Sequence, residues 1–395
     1  MGLESALKLT ALATKVFTPR KYLDEMRGYA DGAGVDFDDI IFINSFPELV
    51  KAACSIVIAS GNATKTGDVA QVRALDYGLD LAVWNYPVVL GYSLAGSVDT
   101  DAKQQEFVSV TFPGMVGSIT GMNRHIGISE KVWLGDDASN DSRFGTPFPL
   151  VMRDVVQMFD TVEDGIRHVQ DAKRTCSIFL GVGGRREHAA ASGDILLTDS
   201  KGVTIYDDAN YNEVFPANET AGRPPHFVRP GLVYVDKHVQ PSRTCLIHSF
   251  RTSIHPPLPP PTNPKPHTQP PRATASIRNA GFADINESPS HVDNALLTRF
   301  MCFMSIANAG SNCMNALMET YYGALDARVL AEEVIPLAMT GDLHAAVYDF
   351  TSSGSRIYVS FPHTDESSHG HPRPAYSKNF VRMNLDDIFD LINSR

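Results

Sequence analysis

The chain has 395 residues, and a composition of 43% hydrophobic and 20% charged residues excludes wholesale disorder, collagen and coiled coil. A formal net charge of −11 disfavours a nucleic-acid partner, because domains that bind nucleic acid are usually basic. No apolar run reaches the roughly 18 residues that a membrane span needs, so we expect no transmembrane segment.

The first part of the chain predicts helices followed by a β-hairpin. Apolar residues at helical spacing predict helices over residues 20–29 and 37–52. Short apolar runs at 54–59 and 69–75 predict two strands, and the turn residues at 62–67 join them as a hairpin.

The rest of the chain alternates short strands with helices. Further strands are predicted at 87–90, 107–112, 126–130, 175–182, 194–198, 203–206, 232–235, 344–350 and 356–360, and helices at 147–159, 162–172, 292–307, 312–322 and 325–337. Because strict βαβ alternation is missing, the pattern favours an α+β fold of packed layers over a doubly wound parallel sheet.

One segment differs from the rest in composition. Residues 237–283 contain no Asp or Glu but six Lys or Arg, and nine of the 25 prolines fall within residues 256–271. Such a sequence cannot bury a core. We interpret residues 237–289 as a Pro-rich low-complexity insertion, and a retained intron stays open as its origin.

The cysteines and the N-glycosylation sequons give evidence about the site types and the cellular compartment. Five cysteines without a CxxC pair exclude a zinc ribbon or a thioredoxin-type site. Four N-x-S/T sequons favour a secretory route, whereas Glu4 and Lys8 interrupt any apolar core of a signal peptide. The sequons are at Asn62, Asn140, Asn218 and Asn286. Either the protein is cytoplasmic or the sequence lacks its true start.

Cys54 is the candidate nucleophile. It begins an apolar run, and the hairpin returns Arg73 and Asp76 towards it. Charges on apolar strands need partners, because an unpaired buried charge is costly. A buried structural cysteine beside an Arg–Asp ion pair is the alternative interpretation. On an ideal strand Arg73 and Asp76 point to opposite faces, so for both to meet Cys54 the strand should end or bulge near Leu75.

These residues carry a resemblance to a known family. The segments Cys54-Ser-Ile-Val and Arg73-Ala-Leu-Asp76-Tyr-Gly resemble the acid ceramidase, N-acylethanolamine acid amidase and isopenicillin-N acyltransferase family. Segments at 25–34, 44–48, 112–123, 127–130 and 340–350 are similar to the same family. The resemblance covers residues 20–236 and 290–395.

The resemblance implies a fold and an activity. The fold would be the N-terminal-nucleophile αββα sandwich, with a helical propeptide-like segment 1–53 and a catalytic domain formed by 54–236 and 290–395. The precursor would cleave itself at Ala53–Cys54 into two associated chains. The mature enzyme would then hydrolyse a lipid-like N-acyl amide, or transfer its acyl group to an acceptor amine, through a thioester and without a cofactor or metal. By the same resemblance the protein would be lysosomal or secreted.

The resemblance also assigns roles to individual residues. Asp76 would orient the Cys54 amine, Arg73 would supply positive charge, and Arg299 would match a second family arginine. A free α-amine has a pKa near 7.7–8.0, so part of it is neutral near pH 7 and can serve as the base. A Cys–His pair is therefore not required.

The oxyanion site departs from the family pattern. Lys237, followed by His238, stands where the family has Asn. Glu130 and Asn123 are expected near Cys54, and Gly121-Met-Asn123 is interpreted as a turn.

Two residues of the C-terminal motif have a different expected role. His344 and Asp349 lie on a predicted strand, where structural hydrogen bonds are expected of them.

Two other functions stay open. The altered segment 236–238 is compatible with a catalytically impaired family member that acts as a binding or signalling module. Gly91-Tyr-Ser93-Leu-Ala-Gly96 nearly matches the G-x-S-x-G elbow of serine hydrolases, with Ser93 as nucleophile.

Overall fold

The computed structural model describes residues 3–49, 53–79, 82–93, 104–133, 141–207, 226–236, 313–365, 368 and 370–394. The Pro-rich segment 237–289, the predicted helix 292–307, and the candidate residues Lys237, His238 and Arg299 lie outside the described residues.

Three helices precede the first strand: α1 (Leu3–Lys15), α2 (Arg20–Ala33) and α3 (Phe37–Ser45). Helix α1 was not predicted. The predicted helix over residues 37–52 was too long, because α3 ends at Ser45 and a 3₁₀ turn, Phe46–Glu48, follows. Pro47 has no backbone N–H to continue the α-helical hydrogen-bond ladder.

The first sheet has seven antiparallel strands. They are β1 (Ala53–Gly61), β2 (Gly67–Asp76), β10 (His226–Arg229), β11 (Leu232–Val235), β12 (His344–Thr351), β13 (Gly354–Ser360) and β14 (Val381–Asn384). Their order is β10-β11-β1-β2-β12-β13-β14. The predicted hairpin is confirmed, because β1 pairs with β2. Strands β10 and β14 were not predicted.

The second sheet is also antiparallel and follows chain order from one edge to the other. It contains β3 (Val88–Tyr92), β4 (Phe107–Thr111), β5 (Thr120–Asn123), β6 (Ile126–Val132), β7 (Ile178–Gly184), β8 (Ser192–Thr198) and β9 (Val203–Tyr206). The expected turn at Gly121–Asn123 was wrong, because these residues form β5. A Cβ at Gly121 would lie 2.8 Å from the Val108 carbonyl oxygen, so this glycine permits close approach to the neighbouring strand.

Further helices cover the outer faces of both sheets. They are α4 (Phe148–Met158), α5 (Val162–Asp171), α6 (Cys313–Tyr321) and α8 (Leu385–Asn393), and the helical run α7, which joins Ala327–Val329, a π-helical turn Leu330–Val334, and Ile335–Ala338. Helix α8 was not predicted. Among the described residues, no helix is both long and apolar enough to span a membrane.

Hydrophobic packing arranges these elements in layers. Ile56 and Ile58 of the first sheet pack with Phe179 of the second. The outer face of the first sheet packs against α6 and α7, and that of the second against α4 and α5. The predicted α+β architecture, two antiparallel sheets with helices, is therefore confirmed.

Glycines allow the two sheets to approach closely. A Cβ at Gly181 would lie 2.8 Å from Ile56 Cγ2, and one at Gly193 would lie 2.8 Å from Ile58 Cγ2. Side chains of the first sheet therefore occupy the space above these positions. Because the two sheets approach this closely, the polar side chains between them, described below, are buried.

Candidate active site

The hairpin places Cys54 at the end of β1, next to the last residues of β2. Cys54 pairs with Leu75, and Ala53 pairs with Asp76. Of the two alternatives expected near Leu75, the strand ends rather than bulges, because β2 is regular up to its last residue, Asp76, and the irregularity lies at Ala59/Gly61. Arg73 therefore shares the inner face with Cys54, whereas Asp76 belongs to the opposite face.

Arg73 connects the thiol to the second sheet. It is fully buried, and its positive charge lowers the pKa of the nearby Cys54 thiol. It also donates to the Glu130 carboxylate at 2.9 Å, to the Ile119 carbonyl at 3.3 Å and to the Ala74 carbonyl at 2.7 Å. Arg73 thus has acceptors from both sheets around one buried charge.

Burial dominates the acidity of the Cys54 thiol. Cys54 has no exposed surface, and burial raises the pKa of its thiol to about 12. The positive charge of Arg73 lowers that pKa, while the Glu130 and Asp76 carboxylates raise it. In the uncleaved chain the group is therefore a thiol, with a guanidinium in position to stabilise a thiolate.

Asp76 reaches the backbone side of the same strand end. Its carboxylate accepts hydrogen bonds from Thr340 Oγ1 at 2.6 Å and from the Gly341 N–H at 2.9 Å. Thr340 Oγ1 also lies 2.7 Å from Ser55 Oγ. Asp76 is therefore held beside the Ala53–Cys54 peptide by the segment that leads into β12.

An apolar cavity of about 570 Å³ opens next to these residues. The N-terminal segment and the sheets line it together. The N-terminal segment contributes Leu7, Phe42, Ile43, Phe46 and Pro47, and the sheets and their loops contribute Leu75, Tyr77, Val83, Tyr86, Phe112, Pro113, Met115, Ile119, Glu130, Val132, Phe148 and Leu343. Three of these, Leu75, Ile119 and Glu130, also flank Cys54 and Arg73, so the cavity lies beside the candidate nucleophile.

Glu130 is the one charged residue among those that line the cavity. One of its oxygens accepts from Arg73, and the other has no hydrogen-bond partner within the described part of the chain. Burial raises the pKa of Glu130, and the charge of Arg73 lowers it. The expectation that Glu130 lies near Cys54 agrees with this placement.

Asn123 has a different place from the one expected. Its side-chain N–H donates to the carbonyls of Val156 and Phe159 at the end of α4, both at 2.8 Å. Its oxygen accepts from the backbone N–H of His125 and Ile126. Because both ends of the amide bond the backbone and Asn123 does not line the cavity, its contacts are structural.

His344 and Asp349 have the hydrogen bonds expected of the C-terminal motif. His344 lies 2.9 Å from Thr120 Oγ1 through Nε2, and burial and the charge of Arg73 hold the pKa of its imidazole well below the usual value. Asp349 pairs with Arg356 at 3.4 Å.

Ser93 lies directly after β3 and hydrogen-bonds the side-chain oxygen of Asn393. An amide oxygen cannot take the proton of a serine nucleophile. The segment 94–103, where the helix of a nucleophile elbow should begin, lies outside the described residues.

Three features of this site were not found from the sequence. Residues that line the cavity come from both ends of the chain and from α3. Lys131 is buried between the sheets, and Glu48 is half-buried beside the start of α4. A charge inside the apolar strand 126–132 was the available signal for Lys131.

Taken together, these features define an α+β protein in which a buried cysteine and a buried arginine meet beside an apolar cavity. No protein-family model matches the chain. It is 26% identical over 396 residues to protein dcd1A of Dictyostelium discoideum, covering 98% of this chain and 72% of that protein. It is 28% identical over 397 residues to protein dcd1B of the same organism, covering 98% of this chain and 62% of that protein.

Two more distant likenesses were found. An uncharacterized protein of Archaeoglobus fulgidus is 25% identical over 246 residues, covering 54% of this chain and 38% of that protein. The solved structure of a Caenorhabditis elegans N-acylethanolamine-hydrolyzing acid amidase ortholog has 15% identity and a TM-score of 0.30, covering 39% of this chain and 63% of that chain. A TM-score this low does not establish a shared fold, so the family resemblance stays a prediction.

The Arg73–Glu130 pair gives a first prediction about stability. Arg73→Leu leaves the Glu130 carboxylate buried without its cation, so we expect a loss of about 3–5 kcal/mol in the free energy of unfolding. The double variant Arg73→Leu/Glu130→Gln should lose less than the sum of the single variants, because no charge is then left unpaired. Urea denaturation measures both.

An exposed pair provides the control for this cycle. Arg167 and Asp164 lie 2.6 Å apart with side chains 63% and 35% exposed, so Arg167→Leu should cost less than about 1 kcal/mol. If the double variant loses as much free energy of unfolding as the two single variants together, then Arg73 and Glu130 do not interact.

Glu48 predicts a pH dependence of stability. Its carboxylate accepts from the Phe148 N–H at 2.7 Å and from Thr175 Oγ1 at 3.0 Å, and burial raises its pKa to about 7 from an ordinary 4.5. Arg143 lowers this pKa and Asp141 raises it. Because the pKa is raised in the folded protein, the stability linked to protonated Glu48 is complete below pH 4.5 and is lost as the pH rises through 7.

We therefore expect the wild-type Tm to fall more between pH 5 and pH 8 than the Tm of Glu48→Gln. The amide keeps an acceptor oxygen for both donors and does not ionise. Thermal denaturation at the two pH values measures the difference, and the exposed Glu187→Gln should behave like wild type. Equal pH dependence in wild type and Glu48→Gln would show that Glu48 does not titrate in this range.

Proposed function

We propose that this protein is a cysteine N-terminal-nucleophile hydrolase that cleaves itself at Ala53–Cys54. In its mature form it hydrolyses or transfers the acyl group of a lipid-like N-acyl amide through a thioester. The observation that carries the proposal is the buried Cys54 thiol within the electrostatic influence of buried Arg73, with Asp76 fixed beside the residue that precedes the thiol.

Self-cleavage uses the thiol and the peptide bond before it. Cys54 Sγ attacks the carbonyl carbon of Ala53, a C–S bond forms, and the C–N bond of the peptide breaks. The thiol proton ends on the released α-amine of Cys54. Water then hydrolyses the thioester, which restores the thiol and leaves a carboxylate on Ala53.

Catalysis by the mature enzyme uses the new amine. The neutral α-amine takes the proton of the Cys54 thiol, and the thiolate attacks the substrate's amide carbonyl. The tetrahedral intermediate expels the amine half of the substrate, which receives the proton. Water or an acceptor amine then takes the acyl group from the thioester. Arg73 stabilises the thiolate, and Asp76 orients the α-amine.

The cavity supports an apolar acyl group as the substrate's main recognition element. Its volume of about 570 Å³ is within the range of small-molecule sites, and its lining is apolar except for Glu130 and Tyr side chains. The free Glu130 oxygen at the cavity wall can accept a hydrogen bond from an amide N–H. An acyl chain in the cavity would place its carbonyl next to Cys54.

Contacts of the N-terminal segment support its retention after cleavage. Glu25 of α2 pairs with Arg153 of α4 at 2.8 Å, and Lys21 pairs with Asp154 at 2.8 Å. Phe42 and Phe46 form part of the cavity wall. We therefore propose that segment 1–53 stays bound as one chain of a two-chain enzyme.

The direct test of this proposal is the intact mass of the purified full-length protein. We expect wild type to separate under denaturing conditions into fragments 1–53 and 54–395, and Cys54→Ala to stay whole. Cys176→Ala, which removes the other free cysteine described by the structure, is the matched control and should cleave like wild type.

The protein is incubated at pH 4.5 and at pH 7.5, which correspond to the lysosomal and cytoplasmic locations considered above. If wild type stays whole at both pH values and releases no acyl group, the hydrolase proposal is wrong and a binding role is favoured. Cleavage of Cys54→Ala would exclude the thiol as the nucleophile of self-cleavage.

The apolar cavity also predicts a dependence on acyl-chain length. Each methylene buried in the cavity contributes up to about 0.8 kcal/mol, or roughly a fourfold rise in kcat/KM. A series of N-acyl amides from 4 to about 16 carbons should therefore show rising kcat/KM until the cavity is full. Met115→Trp, which narrows the cavity, should shift the optimum to shorter chains; an unchanged optimum would show that the acyl chain binds elsewhere.

A further inference from the structure

Lys131 is a buried cation that the mechanism above does not use. It has no exposed surface, and its ammonium, which carries three N–H donors, donates one hydrogen bond, to the Val132 carbonyl at 3.2 Å. It also lies 5.8 Å from the ring centroid of Phe179. No carboxylate lies within ion-pair distance of it in the part of the chain that the structure describes. A buried charge with so few partners is costly, so its presence needs a physical reason.

The register of β6 shows which way Lys131 points. Ser129, two residues earlier on β6, hydrogen-bonds Gln71 and the Val72 carbonyl of the first sheet. Because alternate residues of a strand share a face, Lys131 also points towards the first sheet. It therefore lies between the two sheets.

The pairing of β6 with β7 gives the level of Lys131 along this interface. Gly183 of β7 faces Ile58 of β1, and Gly181 of β7 faces Ile56 of β1, so moving back two residues on β7 also moves back two residues on β1. Moving back two more residues on each strand places Phe179 at the level of Cys54. Phe179 is the β7 partner of Lys131. The ammonium and the thiol thus belong to the same layer of the interface.

Electrostatics agree with this placement. Burial lowers the pKa of Lys131, and a negative charge on Cys54 is the strongest influence that raises it, ahead of Asp236 and Glu130. Asp236 follows Val235, the residue of β11 that pairs with Ile56. Arg73 lowers the pKa of Lys131. The ammonium therefore feels the charges of Cys54, the two carboxylates and Arg73, although no carboxylate of the described residues is close enough for an ion pair.

We propose that Lys131 is a positioning residue of this site, whose ammonium supplies a second positive charge beside Arg73 and stabilises the thiolate of Cys54. This inference rests on the proposed function. Lys131 keeps its three protons throughout, because the thiol proton goes to the Cys54 α-amine. No bond to Lys131 forms or breaks.

The experiment compares Lys131→Met with Lys131→Arg in the full-length protein. Met has nearly the length of Lys without its charge, and Arg keeps the charge. The rate at which iodoacetamide alkylates Cys54 is measured between pH 6 and pH 10 by peptide mass mapping. Cys176 is the internal control, and Tm confirms that each variant is folded.

We expect Lys131→Met to lower the alkylation rate of Cys54 about tenfold at pH 8 and to shift its pH profile about one unit upwards. Lys131→Arg should stay within about threefold of wild type, and Cys176 should react alike in all three proteins. A purely structural role would change Tm without moving the pH profile. If Lys131→Met does not fold, Lys131→Gln is measured in the same way.

Two results would overturn the inference: a Lys131→Met profile that coincides with wild type, or a wild-type Cys54 that is not alkylated up to pH 10. Failure of the proposed function has a different signature. In that case wild type neither cleaves itself nor hydrolyses N-acyl amides, whatever the alkylation profile shows.

Discussion

The burial of the Arg73 guanidinium between the two sheets is the interaction on which the rest of the site depends. A buried cation must be surrounded by acceptors, and Arg73 finds them in Glu130 of the second sheet and in the carbonyls of Ile119 and Ala74. These bonds fix how β2 lies against β6. Cys54 pairs with Leu75 of the same strand, so the position of the candidate nucleophile relative to this guanidinium follows from the packing of the sheets.

The N-terminal segment belongs to the architecture of the site as well. Its apolar residues form one wall of the cavity, and Glu48 connects it to the first residue of α4 through the Phe148 N–H. Tyr22 of α2 is fully buried and hydrogen-bonds Asp154 of α4 at 2.5 Å. The N-terminal segment is therefore fixed to α4 at two points by specific polar contacts within an apolar surround.

The charges of the site are arranged around a thiol that burial keeps protonated. Arg73 and Lys131 lie on the inner face, whereas Asp76 is held on the other side of β2 by Thr340 and Gly341. Opposite faces of one strand thus carry the two charges: the inner face carries Arg73, on the same face as Cys54, and the outer face carries Asp76, whose strand partner is Ala53, the residue before Cys54. A bulge is unnecessary, because a regular strand end presents both.

Several elements could be predicted from the sequence because they depend on local pattern. The hairpin of β1 and β2 follows from two apolar runs and a turn, and it already placed Arg73 and Asp76 near Cys54. Other elements could not be predicted in this way. Strand β5 resembled a turn because Gly121, which permits close approach to β4, is also a turn residue. Strands β10 and β14 have four residues each, which is too short for a clear period.

The sequence by itself determined the α+β class, the hairpin, and the residue types at the candidate nucleophile, since these depend on neighbours along the chain. Only the tertiary structure decided that Glu130 is the partner of Arg73, that α3 and the sheets enclose one cavity, and that Lys131 lies at the level of Cys54. These contacts join residues tens to hundreds of positions apart, and their geometry is set by the packing of one sheet on the other. No local period or spacing encodes that packing.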